Sequence, residues 1–107
     1  MAGDDVRGRL EAMILSVVEH RPLHGYGVIV ALESGSGGRL QLATGTVYPA
    51  LRRLERIGLL QGEWSVVGGR RRRTYQITAA GLRTLGEERT AWADFSRMVG
   101  GILEPEV

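Results

Sequence analysis

The 107-residue sequence predicts a mainly α domain that carries a small β-hairpin and closes on one long C-terminal helix. Three observations predict it. Apolar residues recur at three- and four-residue steps in three separate stretches before residue 58. Two alternating stretches then flank the Gly68-Gly69 pair. A last apolar stripe runs from Leu82 to Leu103. The length fits a single domain with one modest core.

In the first helix, Val6, Leu10, Met13, Ile14, Val17 and Val18 make one wide stripe that ends before Pro22. A second helix is expected from Gly25 or Tyr26 to about Glu33, with Tyr26, Ile29, Val30 and Leu32 as its apolar set. Ser34-Gly35-Ser36-Gly37-Gly38 stops it, because glycine supplies the left-handed residue that closes a helix. This stretch is a turn and not a phosphate loop, since no Gly-Lys-Ser/Thr follows and no strand precedes it.

Thr44 is a candidate N-cap for a third helix marked by Val47, Ala50, Leu51, Leu54 and Ile57 and ended by Gly58. Pro49 conflicts locally with that start, because it removes a backbone bond inside the helix. A start near Tyr48, with Pro49 as the first helical residue, is the alternative. Residues Leu60 to Val66 read as a strand, Val67-Gly68-Gly69 as a turn and Arg70–Ile77 as the return strand. Alternation puts Arg73, Tyr75 and Ile77 on one face and Arg72, Thr74 and Gln76 on the other. Thr78 caps the last helix, whose stripe is Leu82, Leu85, Trp92, Phe95, Val99, Ile102 and Leu103. Gly81, Gly86 and Gly100-Gly101 weaken this helix by up to ~1 kcal/mol each. It therefore needs tertiary or intersubunit packing to persist. The element order is that of a winged helix-turn-helix over residues 1–78, with the wing at about 60–77 and the remaining 79–107 a separate C-terminal helix.

Charge is concentrated in the middle of the chain. Eight arginines and two glutamates lie between Arg39 and Thr78, a local net charge of +6. The rest of the chain has six arginines against ten acids. Such a footprint points to a polyanion. All 14 basic residues are Arg. A GC-rich coding bias explains that as well as function does, so it carries no functional weight. With no cysteine, disulfides, thiolate metal sites and a Cys nucleophile are excluded. His20 and His24 have a metal-like spacing, but Pro22 breaks the helix between them and no further ligand is evident. No Ser-His-Asp set or paired carboxylates in a recognisable pocket support an enzyme. No metal or cofactor is expected. The acidic N-terminus and the lack of a long apolar run predict a cytoplasmic protein without a membrane partner.

Thr44, Thr46, Tyr48, Arg52, Arg53 and Arg56 are left outside the third helix's apolar stripe. Hydroxyls at a helix N-terminus with Arg a turn later suit a major groove, although many solvated helices look alike. Arg70, Arg71 and Arg72 follow the hairpin turn and are placed to track phosphates, while Arg73 shares the Tyr75 side and is expected to pair with Glu55. The candidate DNA-binding set is therefore Thr44, Thr46, Tyr48, Arg52, Arg53, Arg70, Arg71 and Arg72. A protein- or RNA-interaction module is the competing reading.

The strings Thr46-Val47-Tyr48-Pro49-Ala50-Leu51-Arg52-Arg53-Leu54-Glu55 and Arg70-Arg71-Arg72-Arg73-Thr74-Tyr75-Gln76-Ile77-Thr78, with His24-Gly25-Tyr26-Gly27 and Gly58-Leu59-Leu60, resemble the PadR family of transcription regulators. Thr74 departs from the aromatic common there. The resemblance implies a repressor that binds an inverted-repeat operator in double-stranded DNA as a homodimer. It also implies that the recognition helix starts near Thr44 with the proline inside it. For a short family member, it implies dimerisation through the first and last helices, making Val6, Leu10, Val17, Leu85, Trp92, Val99, Ile102 and Leu103 the candidate interface. Trp92 has two readings. In one it packs that interface, the simpler role. In the other it lines a cavity with Met13, Phe95 and Val99 that takes a planar hydrophobic molecule and releases DNA.

Overall fold

The computed structural model describes the backbone of residues 2–105 and the side chains of residues 8–105. Among the described residues seven elements follow one another: α1 (Ala2–Glu19), β1 (Leu23–His24), α2 (Gly25–Gly35), α3 (Thr44–Arg56), β2 (Leu60–Val67), β3 (Arg70–Ile77) and α4 (Ala79–Leu103). The sheet is antiparallel in the order β1-β3-β2. This is the winged helix-turn-helix architecture with an added C-terminal helix.

One apolar core joins all the helices to the base of the hairpin. Ile14, Leu15 and Val18 of α1 meet Val28 and Leu32 of α2, Val47, Leu51 and Leu54 of α3, Leu60 and Tyr75 of the sheet, and Leu85 of α4. Each fully buried aliphatic side chain contributes roughly 1.5–3 kcal/mol relative to exposure. In α2 the buried residues are Val28, Ile29 and Leu32, whereas Tyr26 and Val30 are exposed. The expected apolar set was therefore rotated: the core is reached by Val28, and Tyr26 and Val30 face away from it. Ile57, Trp64 and Val66 are also exposed despite their apolar character.

Pro49 lies inside α3. The helix starts at Thr44, and the N-cap is Ala43, not Thr44 as expected. Pro49 is itself exposed, while Val47, Leu51 and Leu54 bury the opposite stripe. That burial outweighs the ~3 kcal/mol by which proline disfavours a helix interior. Gly58 adopts φ +82°, and the Gly58 and Leu59 amides donate to the Glu55 and Leu54 carbonyls. This double closure ends α3 and turns the chain into β2.

The hairpin turn is Gly68-Gly69, both at positive φ, which matches the twist of the flanking strands. Register runs from Leu60↔Ile77 to Val67↔Arg70 without a bulge. Thr78 joins the wing to the last helix. Its Oγ1 accepts from the Gly81 amide at 3.0 Å and donates to the Gly58 carbonyl at 2.6 Å. Gly81 is buried here, and the close approach leaves no room for a side chain, since a Cβ would run into the Leu59 carbonyl oxygen. Farther along, Arg89 of α4 ion-pairs with Glu19 of α1 at 2.9 Å.

A helix of 25 residues extends ~37 Å. It gives the molecule a 60 Å long axis and a radius of gyration of 15.5 Å, against ~13 Å for a domain of this length. Beyond Arg89 its apolar side chains are largely uncovered: Trp92, Phe95, Met98, Ile102 and Leu103 are all exposed. Leu10 and Leu85, grouped with these as interface candidates, are instead buried in the core of the chain itself. Val17 packs partly against that core, and the side chain of Val6 lies outside the described residues. Among the described residues, no helix is long and apolar enough to cross a membrane.

Candidate nucleic-acid interface

The hairpin leans over one side of α3 and leaves an open cleft of about 770 Å³ between them. Its floor is Leu51, Arg52 and Glu55 of α3 with Tyr75 of β3. One wall is Trp64 with Arg70, Arg71, Arg72 and Arg73, and the other is His24, Gly25, Tyr26 and Tyr48. The α3 position one turn after Tyr48 thus meets the arginine run, as the spacing of the two strings implies.

Within this cleft the four wing arginines divide. Arg73 Nε donates to Glu55 Oε1 at 3.0 Å, and its Nη2 donates to Glu55 Oε2 and to the Gly62 carbonyl. The Arg73 hydrogen bonds hold the Glu55 carboxyl below its ordinary range despite partial desolvation. The same pairing raises Arg73 further above its ordinary value. Gly62 makes room for the fork, since a Cβ there would stand 2.7 Å from Arg73 Nε and 2.9 Å from Glu55 Oε1. The expected Arg73–Glu55 pair is thus present. Arg71 falls on the same face as Arg73, while Arg70 and Arg72 fall on the other. The run therefore offers cations on both faces of the hairpin.

Arg52 and Arg53 also separate. Arg52 is exposed in the cleft. The Arg53 guanidinium instead contacts Glu11 of α1 at 2.6 Å and does not line the cleft. Grouping Arg53 with the DNA-facing residues does not fit this placement: a residue one step along a helix points about 100° away.

Thr44 and Thr46 are exposed on the first turn of α3. No side chain caps that turn, and the Thr46 and Val47 amides reach only the Ala43 carbonyl. The Thr44 and Gly45 amides and the two hydroxyls therefore lie open to an anion. Tyr48 is 36% exposed, and its ring lies across the start of α2, filling the space beside Gly25: a Cβ on Gly25 would lie 2.6 Å from Tyr48 Cε1. His24 Nδ1 accepts from the Gly27 amide at 3.1 Å and so caps α2. The two-residue β1 and this histidine cap escaped the sequence reading, because two residues show no periodicity.

At the other end of the molecule, Trp92 and Phe95 sit with ring centroids 6.2 Å apart. The Arg9 guanidinium of α1 lies 4.6 Å from the Trp92 ring centre and 5.1 Å from that of Phe95. Met13 is partly buried against the core, and Val99 is half-exposed.

Fold and cleft define a winged helix-turn-helix protein whose third helix and arginine-rich wing border one basic cleft. The chain belongs to the PadR-like family of transcriptional regulators, whose model matches residues 14–87. A transcriptional regulator of Mycobacterium tuberculosis is 48% identical over 61 residues, which span 57% of this chain and 57% of that protein. The crystal structure of a PadR family regulator from Eggerthella lenta is similar with a TM-score of 0.82 and 34% identity, covering 99% of this chain and 91% of that one. Bacillus subtilis PadR, solved in complex with operator DNA, shares the fold at 22% identity with a TM-score of 0.67, over 73% of this chain and 45% of that one.

Proposed function

We propose that this regulator binds double-stranded DNA and acts as a repressor, as a homodimer on an inverted-repeat operator. The observation that carries the proposal is that Arg52 of α3 and Arg70, Arg71 and Arg72 of the wing all border one open cleft, Arg71 from the hairpin face it shares with Arg73 and Arg70 and Arg72 from the other. Phosphates on both sides of a groove meet cations from two elements, which fixes the protein's register on the duplex. Thr44, Thr46 and Tyr48 sit at the leading end of α3, where a recognition helix meets base edges and phosphates. The Bacillus subtilis relative, crystallised with operator DNA, supports the same use of the fold.

The dimer is supported by the uncovered end of α4. Trp92, Phe95, Met98, Ile102 and Leu103 form an apolar face that a second copy would bury. Two-fold symmetry then places two recognition helices on half-sites about one helical turn apart. The exposed Trp92 and Phe95 rings, tilted by 32° to each other, also offer aromatic surface for a planar hydrophobic effector that displaces Arg9 and shifts the dimer away from its DNA-binding geometry. The test is duplex binding to the region upstream of the gene, repeated with a panel of planar aromatic compounds. Retained complex with every compound removes effector release. Absence of any duplex complex removes the DNA-binding reading itself.

A further inference from the structure

Trp64 is a large aromatic residue left exposed on the stem of the hairpin. It stands on β2 opposite Arg73, and two positions on, Val66 stands opposite Arg71. Cross-strand partners share a face, so Trp64, Arg71 and Arg73 project together. The Arg71 guanidinium lies 4.7 Å from the indole centre and that of Arg73 5.3 Å. Yet 59% of Trp64 remains exposed. The ring is no part of the core, and exposed cation–π contacts contribute only about 0.5–1 kcal/mol each. Folding alone therefore gives little reason for an indole here.

Its surroundings give a better one. Arg73 is fixed from below by Glu55 and the Gly62 carbonyl, so it acts as a rigid bracket for the ring. The exposed part of the residue lines the cleft that also holds Arg52. An exposed apolar ring with guanidinium groups held over it suits a sugar-phosphate strand: the uncovered part of the ring would pack on a deoxyribose while Arg71 and the indole N–H would meet the flanking phosphates. Stacking on a base would require an unpaired base, which a duplex does not offer.

We propose that Trp64 is a backbone contact of the wing, packing on a deoxyribose of duplex DNA and insensitive to sequence. This rests on the DNA-binding reading above. The test compares the wild-type protein with Trp64→Ala and Trp64→Phe on two duplexes of equal length, the native upstream region and an unrelated sequence. Trp64→Ala should weaken binding about tenfold on both, and Trp64→Phe, which keeps a ring, should weaken it less. Fluorine NMR of fluorotryptophan-labelled protein supplies the second readout. The resonance missing in Trp64→Phe should shift when duplex is added, whether or not Trp64→Ala folds. Wild-type-like binding by Trp64→Ala, or an unmoved resonance, overturns the assignment. A loss confined to one duplex overturns it too, because it makes Trp64 a base reader. If the wild-type protein binds neither duplex, the DNA-binding reading fails instead.

Discussion

Arg73 and Glu55 lock the wing to the third helix: Arg73 Nε donates to Glu55 Oε1 at 3.0 Å while Nη2 bridges Glu55 Oε2 and the Gly62 carbonyl. This fork ties β3 and β2 of the wing to α3 beyond the core packing at the base of the hairpin. It sets the angle at which Arg70, Arg71 and Arg72 are carried over α3.

The lock has a pH signature. The Arg73 hydrogen bonds depress the Glu55 carboxyl below its ordinary value of 4.5. A depressed carboxylate stabilises the fold fully above that ordinary value, and the gain is lost as pH falls through the lower folded value. Glu55→Gln should therefore be less stable than wild type near neutrality. The gap should narrow when pH is taken well below 4.5, as read by denaturant unfolding of both proteins. A gap that stays constant with pH would mean the pair does not stabilise the fold through its charge.

Arg52 and Arg53 should behave as opposites. Arg52→Ala should weaken duplex binding several-fold with little change in melting. Arg53→Ala should leave binding near wild type and lower stability by at most ~1 kcal/mol, because its exposed pair with Glu11 is all that is lost. Paired titrations and melts on the two variants separate these outcomes. Equal losses of binding would place both side chains on DNA.

The glycines of α4 should also split. Gly81→Ala forces a methyl against the Leu59 carbonyl and Ile77 Cγ1, and overpacking of this kind costs about 1–3 kcal/mol or more. Gly86 meets nothing within 4 Å, so Gly86→Ala should stabilise the helix by about 0.5–1 kcal/mol. Thermal melts of the two variants should move in opposite directions.

The exposed end of α4 predicts self-association. Sedimentation should find a dimer for the wild-type chain. A double change of Ile102 and Leu103, each 74% exposed, to Asp should shift it toward monomer while the helical content of the winged part persists. A wild-type monomer at micromolar concentration would leave that apolar face without its second copy.

Much of this was legible in the sequence, for physical reasons that differ by element. Long stripes such as Leu10–Val18 and Leu82–Leu103 announce helices because many residues share one period. Gly68-Gly69 announced the hairpin, since few other pairs tolerate two positive φ values. Alternation alone placed Arg73 beside Tyr75 and pointed it at Glu55. The start of α3 was not decidable locally, because Pro49 and the burial of Val47 pull in opposite directions and only tertiary packing arbitrates. The rotation of α2 failed for a related reason: in a short helix rich in apolar residues, Val28 and Val30 compete for the core, and the pattern does not say which wins. The division of Arg52 from Arg53 depended on Glu11, 42 positions away in the chain, which no local spacing reveals.

The most direct measurement of the central claim is the salt dependence of binding to the native upstream duplex, for wild type and for an Arg71→Ala/Arg72→Ala variant, with a single-stranded RNA of equal length as competitor. The account predicts wild-type affinity that falls steeply with salt, a shallower slope in the variant by about one unit per lost phosphate contact, and weak competition by the RNA. Equal affinity for RNA and duplex, or a variant that binds the duplex as wild type does with the same slope, would contradict it.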